Sequence, residues 1–220
     1  MSGARPAEPR RRDAEASRRA ILQAALEEFA EKGHDGARID EIALRAGVSK
    51  PLIYDYFGNK NAVYAAALRE AYVQIREGEE ELELDAMAPA EAIRSLVRFS
   101  ALHFQEKPWF ITMLNTENLR RGSTITDLKD AGEIQSVLVR KLAAVLERGA
   151  AEGVFRSGVD PVELYISIAS LCYFPVSNRF TLRVVFGCPV DRAWMERCAE
   201  AASEMLLLWL APPQNTRKSR

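Results

Sequence analysis

Ser49, Lys50, Pro51, Tyr54 and Tyr56 fall within one short run, Ser49-Lys50-Pro51-Leu52-Ile53-Tyr54-Asp55-Tyr56-Phe57. On a helical wheel Ile53 and Phe57 share one face, while Pro51 and Asp55 lie opposite, flanked by Lys50 with Tyr54 and by Leu52 with Tyr56. The outward set therefore holds a cation, two phenolic hydroxyls and apolar edges. Groups of these types meet phosphates, sugars and thymine methyls in a major groove about 12 Å wide. Asp55 is the awkward member, because phosphates repel a carboxylate unless it accepts from a cytosine amino group or pairs with a cation such as Lys50. Lys60 stands a few positions on, in the first turn of the next helix, where helix amides favour a phosphate.

Such a surface has to be held by short helices. Apolar spacing predicts a helix over about 17–33, with Ser17 as its cap, Ile21, Ala25 and Phe29 as its stripe and Gly33 at its end. A second helix is expected over 38–46, burying Ile39, Ile42 and Ala43. Gly47 and Val48 supply a tight turn, and Ser49 opens a third helix that ends at Gly58. Two short helices joined in this way have helix-turn-helix geometry. Asn59 then caps a long helix with Tyr64, Leu68, Ala71 and Ile75 on its buried line. Further helices are expected at 89–106, 108–119, 126–152, 160–175 and 191–210, so the fold class is all-α.

Composition narrows the alternatives. With 220 residues, 48% of them hydrophobic, and a net charge of −1, the chain has no overall positive field, so any nucleic-acid contact must be local. The first twenty residues carry six arginines against Glu8, Asp13 and Glu15, and Arg217, Lys218 and Arg220 form a second basic tail. Three cysteines without a C-x-x-C spacing point to a reducing cytoplasm and to no zinc site. The uncharged stretch 164–178 is too short to cross a bilayer, and no membrane span is expected. Glu31 and His34 match Glu-x-x-His, yet a di-iron bundle needs that motif twice. No phosphate-cradling glycine loop or nucleophile elbow is present, so neither an enzyme, a metal nor a cofactor is expected.

The run Ile21-Leu22-Gln23-Ala24-Ala25-Leu26, Phe29, Gly33, Ile39-Asp40-Glu41-Ile42-Ala43, Ala46-Gly47-Val48-Ser49-Lys50, Ile53-Tyr54, Tyr56-Phe57, Asn59-Lys60, Tyr64 resembles the N-terminal domain of the TetR family of bacterial transcriptional regulators. The resemblance implies a homodimer with a three-helix DNA-binding head and a larger helical body that binds a small effector. Carried over by position, the DNA-contact residues are Arg38, Ser49, Lys50, Pro51, Tyr54, Tyr56 and Lys60. The chain departs from the family where Ala37 and Arg38 replace the usual Thr or Ser at the start of the second helix. Asp55 keeps open a second reading, a helical interaction protein that no longer binds DNA.

On this reading 1–16 is a flexible basic arm, 17–62 the DNA-binding head, 63–211 the effector-binding and dimerisation body, and 212–220 a basic tail. The expected regulator is a repressor released from a palindromic operator by a largely apolar effector. Candidate effector contacts are His103, Trp109, Phe110, Met113, Tyr165, Cys172 and Tyr173, residues whose alternative role is ordinary core packing. Helices 160–175 and 191–210 are the expected dimer seam, two from each copy forming a four-helix interface; the last presents Trp194, Cys198, Ala201, Met205, Leu208 and Trp209, too much apolar surface for a solvated helix.

Overall fold

The computed structural model describes residues 8–128 and 131–213, all helix and connecting turns with no strand among them. Helices α1 (Glu8–Gly36), α2 (Ile39–Ala46), α3 (Lys50–Phe57) and α4 (Lys60–Glu80) are followed by α5 (Pro89–Glu106) and α6 (Pro108–Leu119). Helices α7 (Ala131–Ala151), α8 (Pro161–Ser177), α9 (Arg179–Phe186) and α10 (Arg192–Leu210) complete the chain. Two compact units emerge, one of residues 1–73 with 112–129 and one of 74–111 with 130–220. The basic tail at 214–220 and the first seven residues of the arm lie outside the described residues.

In the first unit α1 supplies a continuous apolar stripe: Ile21, Ala25, Leu26 and Phe29 are fully buried. The helix does not wait for a cap at Ser17 but reaches back to Glu8. Pro9 sits in its first turn, where the missing N–H costs little, and the Arg- and Ala-rich residues that follow are good helix formers. The stretch expected as a flexible arm is therefore helical from Glu8 onward. Gly33 breaks the helical dihedrals at φ 68°, ψ 176°, as its place at the end of the predicted helix suggests.

Gly47 closes α2 in the left-handed region (φ 65°, ψ 30°), and the Val48 amide donates to the Ala43 carbonyl at 3.0 Å. This turn starts α3 with Pro51 in its first turn. Ile53 is the residue that α3 buries completely, a contribution of about 1.5–3 kcal/mol.

In the second unit α5 packs most extensively on α10 and α8, burying Ile93, Leu96, Val97, Ala101 and Phe104 against Leu164, Ile168, Met195 and Leu206. Asp160 caps α8 by accepting from the Val162 and Glu163 amides at 2.7 and 3.2 Å, and Asp191 caps α10 through Trp194 at 2.8 Å. Two boundaries differ from expectation. Helix α7 begins at Ala131, after a short 3-10 turn at Ile125–Asp127, and α8 continues past Pro175 to Ser177. The helix α9 was not anticipated.

Candidate DNA-contact surface and effector core

The surface of α3 is built from beneath. Glu28 of α1 is buried, and its Oε1 accepts from the Arg38 amide at 3.2 Å, just ahead of α2. At the other end of α2, Arg45 lies 3.2 Å from the Glu28 carboxylate, and its NH2 donates to Glu31 at 2.6 Å. One helix thus holds α2 at both ends, and α2 in turn positions α3. The pairing with Arg45 keeps the Glu31 carboxyl below the usual range.

Of the residues predicted to contact DNA, Arg38, Ser49, Lys50, Pro51 and Tyr54 are exposed, and Tyr56 is half-buried with an edge contact to Phe57 at 6.4 Å. Three details depart from the sequence reading. Ser49 occupies the N-cap position with extended dihedrals, but its side chain makes no capping bond. Lys50 Nζ pairs with Asp40 at 2.9 Å, on the adjacent helix, rather than with Asp55 on its own; that pairing raises the Lys50 pKa. Lys60 Nζ donates to the Asp35 carbonyl at 3.1 Å, tying the start of α4 to the last turn of α1. Asn59 Oδ1 accepts from the Ala62 amide at 3.0 Å, as a cap of α4 should.

His34, weighed above as a metal ligand, stacks on Phe29 at 6.1 Å and meets Tyr64 edge-on at 5.0 Å. Its ring nitrogens face Asp35 Oδ1 at 2.8 Å, Asn61 Oδ1 at 2.9 Å and Arg120 NH1 at 3.0 Å. Among the described residues no group of three or more His, Cys, Asp or Glu side chains is placed to hold a metal ion.

In the body, His103, Phe110 and Cys172 are buried, whereas Trp109, Tyr165 and Tyr173 are half-buried. Met113 is fully buried and clusters with the first unit. His103 lies among Phe99, Phe110 and Phe104 at centroid distances of 5.3, 6.0 and 6.3 Å. Burial, aided by Lys107 and Arg76, pushes its pKa down to about 4, so the ring is neutral near pH 7. Cys172 Sγ contacts the Val97 carbonyl at 3.5 Å, and burial pushes its thiol up to about 12. It is therefore an unreactive packing residue.

Sequence reasoning missed the most unusual feature of this core. Arg76 and Glu79 of α4 are both buried and form an ion pair; Arg76 NH2 donates to the Tyr165 hydroxyl at 2.6 Å, and the guanidinium lies 5.1 Å from that ring's centre. Burial raises Glu79 to about 7 despite the adjacent guanidinium. A pair spaced i, i+3 among Glu77, Glu80 and Glu81 reads in sequence as a solvated face, and nothing local marks it as interior.

The expected dimer seam lies on α10, where Ala201, Met205, Leu208 and Trp209 are exposed and Trp194 and Cys198 are half-buried. Leu208 is 78% exposed, and on α8 and α9 Ile166, Phe174, Phe180 and Val184 are 56, 57, 65 and 86% exposed. That much solvent-facing apolar surface is more than scattered single residues on a solvated face would give.

A head in which a buried helix pair presents an outward third helix, joined to a helical body with a polar group in its core, defines a helix-turn-helix regulator. Residues 21–67 match the family described as "Bacterial regulatory proteins, tetR family", and 89–206 match "Tetracyclin repressor-like, C-terminal domain". The HTH-type transcriptional repressor NicS of Pseudomonas putida is 36% identical over 173 residues, which cover 79% of this chain and 82% of that protein. The HTH-type transcriptional repressor SCO4008 of Streptomyces coelicolor is 30% identical, over 80% of this chain and 86% of that protein. Among solved structures, the regulator FadR of Bacillus subtilis, in complex with stearoyl-CoA, superposes with a TM-score of 0.65 at 20% identity, covering 86% of this chain and 97% of its own. The chain belongs to the TetR family: it is a DNA-binding transcriptional regulator, and the family is one of regulators rather than enzymes. No helix among the described residues is long and apolar enough to cross a membrane.

Proposed function

We propose that this regulator is a homodimeric repressor that holds a palindromic operator through paired α3 helices and is released by a small, largely apolar effector bound in the body. The observation that carries the reading is the outward face of α3. Lys50, Pro51 and Tyr54 are exposed on a helix anchored from beneath by Ile53. Arg38, Ser49, Tyr56 and Lys60 flank that face as phosphate and sugar contacts. The half-buried and exposed apolar residues of α10, with those of α8 and α9, form the seam between copies, and a two-fold axis would place the recognition helices about 34–36 Å apart, one turn of DNA.

Effector binding shifts the population toward an arrangement in which α4 tilts and the recognition helices lose register. A coupling of about 1–3 kcal/mol suffices for a 5- to 150-fold change in operator affinity. His103, Trp109, Phe110, Tyr165, Cys172 and Tyr173 remain the effector contacts of this proposal, while Met113 contributes through packing. The site of action is the cytoplasm. Selection of bound fragments from random duplex DNA tests the reading: a two-fold symmetric consensus supports it, and recovery without sequence enrichment overturns it.

A further inference from the structure

A buried ion pair is costly unless every charge and donor is matched, and this one is not. Arg76 Nε, Glu79 Oε1 and His103 Nε2 are all buried without a hydrogen-bond partner. Two of these orphaned atoms belong to the ion pair, and the Arg76 charge also bears on the third, on His103. Arg76 and Lys107 both act on His103, Lys107 Nζ reaches Gln74 at 3.5 Å, and Lys141 and Glu80 border the pair across a narrow seam with Val137 and Leu138. Phe99, Phe104 and Phe110 surround the His103 ring. His103 and Phe99 also line an open cleft of about 320 Å³ together with Leu82 and the charged Arg98, Glu106 and Arg192, within the roughly 300–1,000 Å³ range of small-molecule sites.

We infer that the effector is an apolar monocarboxylate, whose carboxylate displaces Glu79 from Arg76 and accepts from His103 Nε2 while its tail lies against the ring cluster. The inference rests on the effector-binding reading above and names the chemistry of its ligand. Glu79 acts as an internal stand-in for the ligand's head group. Since burial already raises Glu79 to about 7, the displaced side chain takes a proton from solvent and stays buried as a neutral acid. Binding therefore takes up a proton as the anion enters. The charged or titratable groups about the pair are Arg76 and Glu80 on α4, Lys141 on α7 and Tyr165 on α8, which accepts from Arg76; His103 and Lys107 on α5 join the linkage through the charge of Arg76 on His103.

Calorimetry of the full chain with benzoate and octanoate, against benzamide and octanamide, tests this; the two acids separate an aromatic tail from an aliphatic one. At least one acid should bind saturably, its amide should not, and affinity should fall about tenfold per pH unit above about pH 7. Glu79→Gln removes the internal competitor and should tighten acid binding about tenfold or more near pH 8, with the pH dependence flattened. The double variant Arg76→Gln/Glu79→Gln leaves no buried charge of the pair and should lose acid binding while retaining its helical spectrum. Equal binding of acid and amide overturns the inference, as does weaker acid binding by Glu79→Gln or no binding of either acid to wild type and Glu79→Gln alike. Operator binding measured alongside keeps the two proposals separate. A chain that binds operator but neither acid loses this inference alone, and one that binds an acid but no duplex loses the regulator reading alone.

Discussion

At the scale of single residues, Tyr54 offers the cleanest test of DNA contact. It is 40% exposed on a helix whose fully buried residue is Ile53, so Tyr54→Ala should lower operator affinity by about 1–3 kcal/mol while leaving Tm nearly unchanged. Wild-type affinity in that variant would remove the side chain from the interface. Glu79 makes a second, independent prediction. Its folded pKa of about 7 lies above the ordinary 4.5, so its contribution to stability is complete below about pH 4.5 and is lost as pH rises through about 7. Thermal denaturation between about pH 5 and 8 should show a loss of roughly 1–3 kcal/mol in wild type that Glu79→Gln flattens. His103 runs the other way: held neutral in the fold, it destabilises the protein as pH falls from 6.5 through about 4. The outward residues of α3 were legible because their types and spacing are local. Arg76 and Glu79 were not, since their burial is decided by helices far away in sequence, and Lys50's choice of Asp40 over Asp55 depends on how α2 crosses α3.

At the scale of elements, the turn between α2 and α3 is the joint most exposed to a single change. A Cβ on Gly47 would meet no atom within 4 Å, so Gly47→Ala isolates the cost of left-handed dihedrals, about 1 kcal/mol, read as a lower Tm. Gly149→Ala is of another kind, because the added methyl would stand 2.0 Å from the Phe155 ring. Overpacking there should cost about 1–3 kcal/mol or more. The periodicity of the chain yielded nine of the ten helices in the described residues, and the tenth shows why one escaped. Helix α9 is only eight residues long and exposes Phe180, Val184, Val185 and Phe186, so its pattern lacks the buried stripe that betrays a core helix. The start of α1 escaped for a different reason. Two prolines and a cluster of arginines suggested a free arm, but helix propensity carries the chain back to Glu8.

At the scale of the whole molecule, the proposed assembly predicts that affinity for DNA and self-association fail together. Leu208→Glu or Phe174→Glu places a charge on the exposed apolar surface, and sedimentation should show monomers whose operator affinity has fallen by orders of magnitude. A variant that stays dimeric would move the seam elsewhere. Operator binding should also weaken steeply between about 50 and 200 mM salt, as phosphate contacts require. The domain division read from the sequence follows chain order. Residues 112–129, which sequence assigned to the body, cluster with the head, because packing rather than chain order decides membership.

The bracing of α2 by Glu28 and Arg45 leaves α3 held inward by Ile53, with Phe57 beneath the Arg18 guanidinium, and leaves Pro51, Tyr54 and Asp55 exposed. If the proposed DNA contact holds, base preference rests on a removable veneer: exchanging Pro51, Tyr54 and Asp55 for the side chains of another regulator should retarget the protein to new promoters while the scaffold melts at its original temperature.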